Sequence, residues 1–228
     1  INVRIDESDR NGVIQKRIND YKDLFELMSY VEVLKYNQIE LQKLFIPCLF
    51  GQRSDRRFIK NESFGLKIIC DFINQMKFKK VEILDPHSDV SLALINNSVK
   101  ISSFEYVQQV CREISKENLV LISPDAGAYK KVFKYGEDLE LPVIAANKFR
   151  DLEGNVTLNI LGDVKNKKCL IVDDICDGGY TFLVLGKKLK ELEASKVYLY
   201  ISHGYFSKGF TELNQVLNGI YSTNSVKD

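Results

Sequence analysis

The sequence has little of what marks several protein classes. It contains no Trp, only 4 Pro and only 13 Gly among 228 residues, which excludes collagen-like and low-complexity chains. Net charge is nearly absent, because 32 Lys and Arg offset 31 Asp and Glu, whereas nucleic-acid binders and polybasic membrane-surface proteins usually carry a basic excess. No apolar run approaches the ~18 residues of a membrane-spanning helix, and no secretory leader is visible. We therefore expect a soluble globular protein with neither nucleic acid nor membrane as a partner.

The five cysteines are also informative through what they lack. They are an odd number, and they show neither a CxxC motif nor the spacing of a zinc site. Four of them lie within or beside apolar segments, which is typical of buried, reduced thiols. Reduced thiols favour a cytoplasmic protein.

Strand and helix patterns alternate along the chain. Helices are predicted at 13–36, 63–76, 104–116, 128–139, 181–192 and 209–217; strands at 43–50, 80–84, 119–123, 142–146, 168–173, 196–202 and near 220; and a loop or hairpin over 147–166. Such alternation indicates parallel sheets covered by helices on both faces. We predict an α/β protein with two parallel-sheet units, 1–98 and 99–228.

Ligands of such sheets bind at the carboxyl ends of the strands, and three predicted strand ends carry unusual polar sequences. These lie at 123–127, 147–150 and 173–181. In the last one, an apolar strand ends in Asp173-Asp174, and Asp177-Gly178-Gly179 then leads into a helix. Paired carboxylates can bind a vicinal diol or a divalent cation, and glycines that open a helix let backbone N–H groups hold a phosphate. The alternative is an ordinary helix N-cap.

The stretch from Asp173 to Thr181 resembles the phosphoribosyl-diphosphate motif shared by type I phosphoribosyltransferases and ribose-phosphate diphosphokinases. The diphosphokinase family is favoured by further segments in the expected order: Ile46-Pro47 with Arg53 and Asp55, Asp85-Pro86-His87, Ser123 to Gly127, Lys148-Phe149-Arg150, Ile160 to Lys165 and Ser202-His203-Gly204. The resemblance implies two phosphoribosyltransferase-like units in tandem. The first would be truncated, because the family has further residues before the first matched segment.

The resemblance also implies a role for each site residue. Asp173, Asp174, Asp177, Gly178, Gly179, Tyr180 and Thr181 would bind the sugar phosphate; Arg53, Asp55 and His87 would bind ATP; His87 and Asp125 would hold Mg²⁺; and Lys148 and Arg150 would be the catalytic cations. Without the resemblance, we would interpret Asp125 as a helix cap, and Lys148 and Arg150 as a pair of solvated surface charges. His203 is left out of catalysis.

The activity that the resemblance implies is Mg²⁺-dependent transfer of the β,γ-diphosphate of ATP to the C1 hydroxyl of ribose 5-phosphate, with release of AMP. ATP would be the co-substrate, and the enzyme would be a cytoplasmic homo-oligomer. The phosphate loop departs from the family, which usually has glycine where this chain has Tyr180. A bulky ring there suggests a larger acceptor such as ADP-ribose, for use in NAD metabolism. A phosphoribosyltransferase and a non-catalytic regulatory relative remain as alternatives.

Overall fold

The computed structural model describes residues 11–57, 59–150 and 156–227, with side chains described except at 148–150 and 156–157. The chain divides between Ser102 and Ser103 into two compact units. The division falls after strand Ser98–Ile101, whose pairing with the preceding strand holds it in the first unit. The predicted boundary between residues 98 and 99 would have cut through this strand.

The first unit is a four-stranded parallel sheet in the order β1-β2-β3-β4. Its elements are β1 (Val13–Gln15), α1 (Tyr21–Tyr36), β2 (Lys43–Ile46), α2 (Gly65–Met76), β3 (Lys80–Leu84), α3 (Asp89–Leu94) and β4 (Ser98–Ile101). The apolar faces of α1 and α2 bury Leu27, Leu34, Ile69 and Ile73 against the sheet. This burial supplies the hydrophobic stabilisation of the unit.

The predicted helix over 13–36 is wrong before Asp20. The Asp20 carboxylate accepts the Asp23 backbone N–H at 2.9 Å and thereby caps α1, which begins one residue later. Upstream, β1 pairs with β2, and Ile18 forms an isolated parallel bridge with Leu49. Helix α3 and strand β4 were not predicted. Strand β2 ends at Ile46 instead of continuing to residue 50.

The second unit is a six-stranded sheet in the order β10-β9-β8-β5-β6-β7. Its elements are α4 (Phe104–Glu113), β5 (Leu119–Ser123), α5 (Ala126–Leu139), β6 (Val143–Arg150), β7 (Val156–Ile160), β8 (Lys168–Cys176), α6 (Tyr180–Glu191), β9 (Lys196–Gly204) and β10 (Gly219–Ser222). All pairings are parallel except that of β6 with β7, which is antiparallel. The protein is therefore α/β as predicted, but this sheet is mixed.

Three further boundaries differ from the prediction. Strands β8 and β9 run to Cys176 and Gly204, past the predicted ends at 173 and 202. The predicted helix over 209–217 is only a short 3₁₀ turn, Leu213–Gln215.

All five cysteines are buried free thiols, and burial raises the pKa of Cys169 and Cys176 to about 12. No helix within the described ranges is long and apolar enough to cross a membrane.

Candidate functional site

The paired acids lie where β8 runs past its neighbour. The register of β8 with β5 ends at Ile171 opposite Ile122, whereas its register with β9 continues through Asp173 to Cys176. Asp173 and Asp174 therefore stand within β8, beyond its last pairing with β5. This correction to the predicted strand end matters, because a strand fixes their backbone more firmly than a loop would.

The two carboxyl groups are coupled to each other. Asp174 is only 8% exposed. Burial, the Asp174 charge and a hydrogen bond to the Asp174 side chain raise the pKa of Asp173 well above its usual value, while the cation of Lys131 on α5 opposes the shift. Two carboxylates held this close are destabilising until a proton, a cation or a ligand hydroxyl relieves them. The pair is therefore an oxygen-rich site prepared for a diol or a metal ion.

The connection from β8 to α6 presents four backbone donors. The N–H groups of residues 178 to 181 donate to no acceptor in the described part of the chain. Gly179 holds a φ of +78°, and a Cβ there would approach Leu213 at 3.1 Å, so the loop keeps its shape only with glycine. The helix dipole of α6 adds positive potential at the same end. Unpartnered N–H groups at a glycine-opened helix start can bind a phosphate.

Tyr180 is the first residue of α6, and its side chain is 74% exposed. The ring therefore turns outward and does not fill the loop. Thr181 follows at partial exposure, and Asp177 is exposed before the glycines. The predicted sugar-phosphate residues from Asp173 to Thr181 thus form one continuous strand, loop and helix start.

Asp125 follows β5 at the same carboxyl edge of the sheet. Its carboxylate Oδ1 accepts the Ala128 backbone N–H at 3.0 Å and caps α5. Its backbone carbonyl is held by the Ser123 hydroxyl at 2.8 Å. The capping role weighed in the sequence analysis is therefore present, and the side chain, which is exposed, keeps its other oxygen available to a ligand.

Lys148 and Arg150 lie on β6, next to β5 in the sheet. Their backbone is paired with β7, Lys148 opposite Leu158 and Arg150 opposite Val156. Their side chains fall outside the described set, so their role as catalytic cations stays a prediction.

In the first unit, the arginine-rich loop after β2 meets the loop after β3. The Gln52 side-chain Oε1 accepts the His87 backbone N–H at 3.0 Å. Asp55 is 5% exposed, and the Arg56 guanidinium at 2.9 Å lowers the pKa of its carboxyl, with smaller contributions from Ser88 and His87. Arg53 is exposed and forms no ion pair with a described residue. Of the predicted ATP residues, Arg53 and His87 thus face solvent, while Asp55 is buried and orients the loop.

The predicted metal residues stand in different units, His87 in the first and Asp125 in the second. Within the described ranges, no three His, Cys, Asp or Glu side chains form a metal cluster. The donor set therefore does not make a resident all-protein cage. Magnesium commonly takes one or two carboxylates and completes its shell with water and substrate phosphates, so the exposed carboxylate of Asp125 alone could serve it.

The roles of two residues near these loops were not predicted from the sequence. Gln52 joins the two loops of the first unit, and Lys131 lies within electrostatic reach of Asp173. Neither has a local signal, because each acts on a partner tens of residues away. His203 is buried, and its Nδ1 is hydrogen-bonded to the Ser225 hydroxyl at 2.8 Å, which agrees with leaving it out of catalysis.

Comparison with known proteins identifies the family. The family model of the phosphoribosyl transferase domain matches residues 95–216. The ribose-phosphate pyrophosphokinase of Mycoplasma genitalium is 31% identical over 90% of this chain and 64% of its own length. Ribose-phosphate pyrophosphokinase 1 of Listeria monocytogenes is 30% identical over 91% of this chain and 67% of its own length. The chain thus spans about two thirds of the curated relatives it matches.

The crystal structure of phosphoribosylpyrophosphate synthetase from Mycobacterium smegmatis has the same fold. It superposes with a TM-score of 0.82 at 21% identity and covers 93% of this chain and 71% of that one. With the matched domain and the curated relatives, this establishes that the chain belongs to the ribose-phosphate pyrophosphokinase family and has the phosphoribosyltransferase fold.

Proposed function

We propose that the chain transfers the β,γ-diphosphate of ATP to the C1 hydroxyl of ribose 5-phosphate in a Mg²⁺-dependent reaction that releases AMP. The observation that carries this proposal is the continuity of the coupled acids of β8 with four unpartnered N–H groups at the start of α6. The acids accept hydrogen bonds from the ribose hydroxyls, and the amides bind the 5-phosphate. The names of the relatives, which are ribose-phosphate pyrophosphokinases, support the same reaction.

The chemistry requires positioning and charge neutralisation more than a covalent nucleophile. The C1 oxygen attacks the β-phosphorus of ATP, the bond from that phosphorus to the α,β-bridging oxygen breaks, and the hydroxyl proton leaves to water. Asp173 and Asp174 orient the sugar for in-line attack. Lys148 and Arg150 neutralise charge that develops on the transferred group, a role worth several kcal/mol in comparable sites. Asp125 and, in the first unit, His87 are the residues we assign to Mg²⁺, which would supply further charge neutralisation when bound.

The proposal assigns the two units different tasks. The first unit, which we interpret as a phosphoribosyltransferase-like unit, binds ATP through Arg53 and His87. The second unit, from about residue 99 onward, binds the sugar phosphate. We further propose a cytoplasmic homo-oligomer, by analogy with the resemblance described above.

One specific observation favours a second acceptor. Tyr180 directly follows the glycines of the loop, and its exposed ring could stack on a base, whereas a ring turned to solvent beside an ordinary phosphate site is the alternative. ADP-ribose, whose 5-phosphate carries a nucleotide, would then be diphosphorylated for use in rebuilding nicotinamide dinucleotides. Its site residues and its magnesium requirement would be the same.

The decisive experiment incubates the protein with ATP, Mg²⁺ and either ribose 5-phosphate or ADP-ribose, and measures AMP. AMP that depends on ribose 5-phosphate supports the main proposal. A higher kcat/KM with ADP-ribose, reduced by Tyr180→Gly, supports the second acceptor. If AMP forms with neither, the protein would be a phosphoribosyltransferase or a regulator. Release of diphosphate from phosphoribosyl diphosphate and a nucleobase distinguishes those two.

A further inference from the structure

The turn after β9 is fastened to the phosphate loop. The backbone N–H groups of Tyr205 and Phe206 both donate to the Cys176 carbonyl, at 2.9 and 3.2 Å. The Ser207 N–H donates to the Asp177 carbonyl at 3.0 Å. Three hydrogen bonds therefore hold the turn against the residues that lead into the loop, so the two segments form one local structure.

The same turn fixes the position of Lys208. Gly209 adopts a φ of +70°, and its N–H donates to the Phe206 carbonyl at 2.9 Å, which closes a tight turn around residues 207 and 208. The Phe206 ring is buried and packs on Phe210 at a centroid distance of 4.6 Å. Lys208 consequently stands at the tip of an anchored turn.

The Lys208 side chain lies along the phosphate loop. A Cβ placed on Gly178 would meet the Lys208 Cδ and Cε atoms at 3.5 Å, so the aliphatic stem passes over the position that a side chain at residue 178 would occupy. The ammonium is one bond beyond Cε, the residue is exposed, and no carboxylate in the described residues pairs with it. A lysine whose stem lies over the loop while its charge stays unpaired is available for an incoming anion.

The charge of the ligand follows from this arrangement. Four amide donors provide partial charges, and Lys208 adds a full positive charge at the same loop. A terminal phosphomonoester carries about −1.5 to −2 at pH 7, whereas a phosphorus bridged to a second group carries about −1. The added cation thus favours the terminal monoester.

We propose that Lys208 binds the 5-phosphate of the sugar acceptor and makes the site selective for a terminal phosphomonoester over a nucleotide-linked one. The proposal rests on the proposed function and decides between its two acceptors. Lys208 is a binding residue, and it does not take part in the transfer step.

The test uses Lys208→Met, which keeps an unbranched stem, together with Lys208→Ala. Lys187→Ala is the matched control, because Lys187 is an exposed lysine on α6, the helix that follows the phosphate loop, and it has no partner among the described residues. Calorimetry with ribose 5-phosphate alone should show Kd raised about 10- to 50-fold in both Lys208 variants, as expected for loss of a charge-assisted contact. The Kd for ADP-ribose should change less than about threefold, because its bridged phosphate carries less charge.

Three results with the variants would overturn the proposal. These are unchanged affinity of Lys208→Met for ribose 5-phosphate, equal losses for ribose 5-phosphate and ADP-ribose, and an equal loss in Lys187→Ala. Absence of any ribose 5-phosphate binding by the wild-type chain would overturn it as well. Binding that weakens in the Lys208 variants while no AMP forms from ATP would refute the proposed function but uphold the role of Lys208. Normal AMP production, with the affinity of the Lys208 variants for ribose 5-phosphate unchanged, would support the proposed function and refute the role of Lys208.

Discussion

Replacing Asp173 with Asn should stabilise the second unit at neutral pH while removing sugar binding. Burial and the neighbouring Asp174 raise the pKa of Asp173 in the folded chain. Between the unfolded and folded pKa values, the native state keeps a proton that the unfolded state has lost. The free energy of unfolding therefore falls as pH rises through that window. Asn carries no such proton, so its advantage over Asp grows with pH and is complete above the window.

The upper limit of this stabilisation follows from Coulomb's law. Two carboxylates at a separation of about 4 Å repel by roughly 4 kcal/mol at an effective dielectric constant near 20. The cation of Lys131 and the Asp174 N–H, which donates to Asp173 Oδ1 at 2.9 Å, offset part of this repulsion. We expect Asp173→Asn to raise the free energy of unfolding by about 1–3 kcal/mol at pH 8 and by much less near pH 4.5, close to the lower edge of that window.

Urea unfolding at the two pH values measures this difference. Glu117→Gln is the matched control, because Glu117 is an exposed acid of the same unit. Ribose 5-phosphate with Mg²⁺ should raise the melting temperature of the wild-type chain but not of the variant, whereas the ATP affinity should be retained. A loss of stability at pH 8 equal to that at pH 4.5 would refute the repulsion and indicate that the acids support the fold.

Substitutions at four other residues test the remaining assignments. Lys148→Ala and Arg150→Ala should each lower kcat about 100- to 1000-fold in the AMP assay, with Kd for ribose 5-phosphate within about threefold by calorimetry, and near-normal turnover would contradict their catalytic role. Gly179→Ala should lower the free energy of unfolding by about 1–2 kcal/mol, seen as a lower urea midpoint, because of its φ of +78°. Gln52→Ala, which removes the acceptor of the His87 N–H, should raise KM for ATP about 3- to 10-fold and not KM for the sugar, and Gln52→Glu, which keeps an acceptor, should restore it.

The sequence located the acids of β8 and the glycines before α6 because both signals are local. An apolar run that ends in carboxylates, followed by glycines and a helical pattern, needs no knowledge of the rest of the chain. Lys208 carries no such signal. Its relation to Gly178 arises only when three backbone hydrogen bonds bring residues 205–207 against residues 176 and 177.

The incorrect element predictions have similar causes. Ile14 and Ile18 fit a helical period, yet Ile14 pairs with Leu44 of β2 and Ile18 forms a bridge with Leu49 after that strand, so this pairing overrides the local pattern. Leu213, Val216 and Leu217 also repeat at helical spacing, and all three are buried. Only a 3₁₀ turn forms there, so burial produced the periodicity without a helix.

The length of β6 gives it two mechanically different halves. Val143 to Ala145 pair with β5 inside the sheet, whereas residues 146–150 pair only with β7. A two-stranded ribbon is marginally stable by itself, but Ala146 and Leu158 are buried in the core, so only the end of the ribbon outside Lys148 and Leu158 can open at a free energy well below that of global unfolding. The backbone of Arg150 therefore belongs to this opening end, and Lys148 stands at its base. The acids of β8, which stay paired with β9, would hold the sugar in place while that end opens and closes.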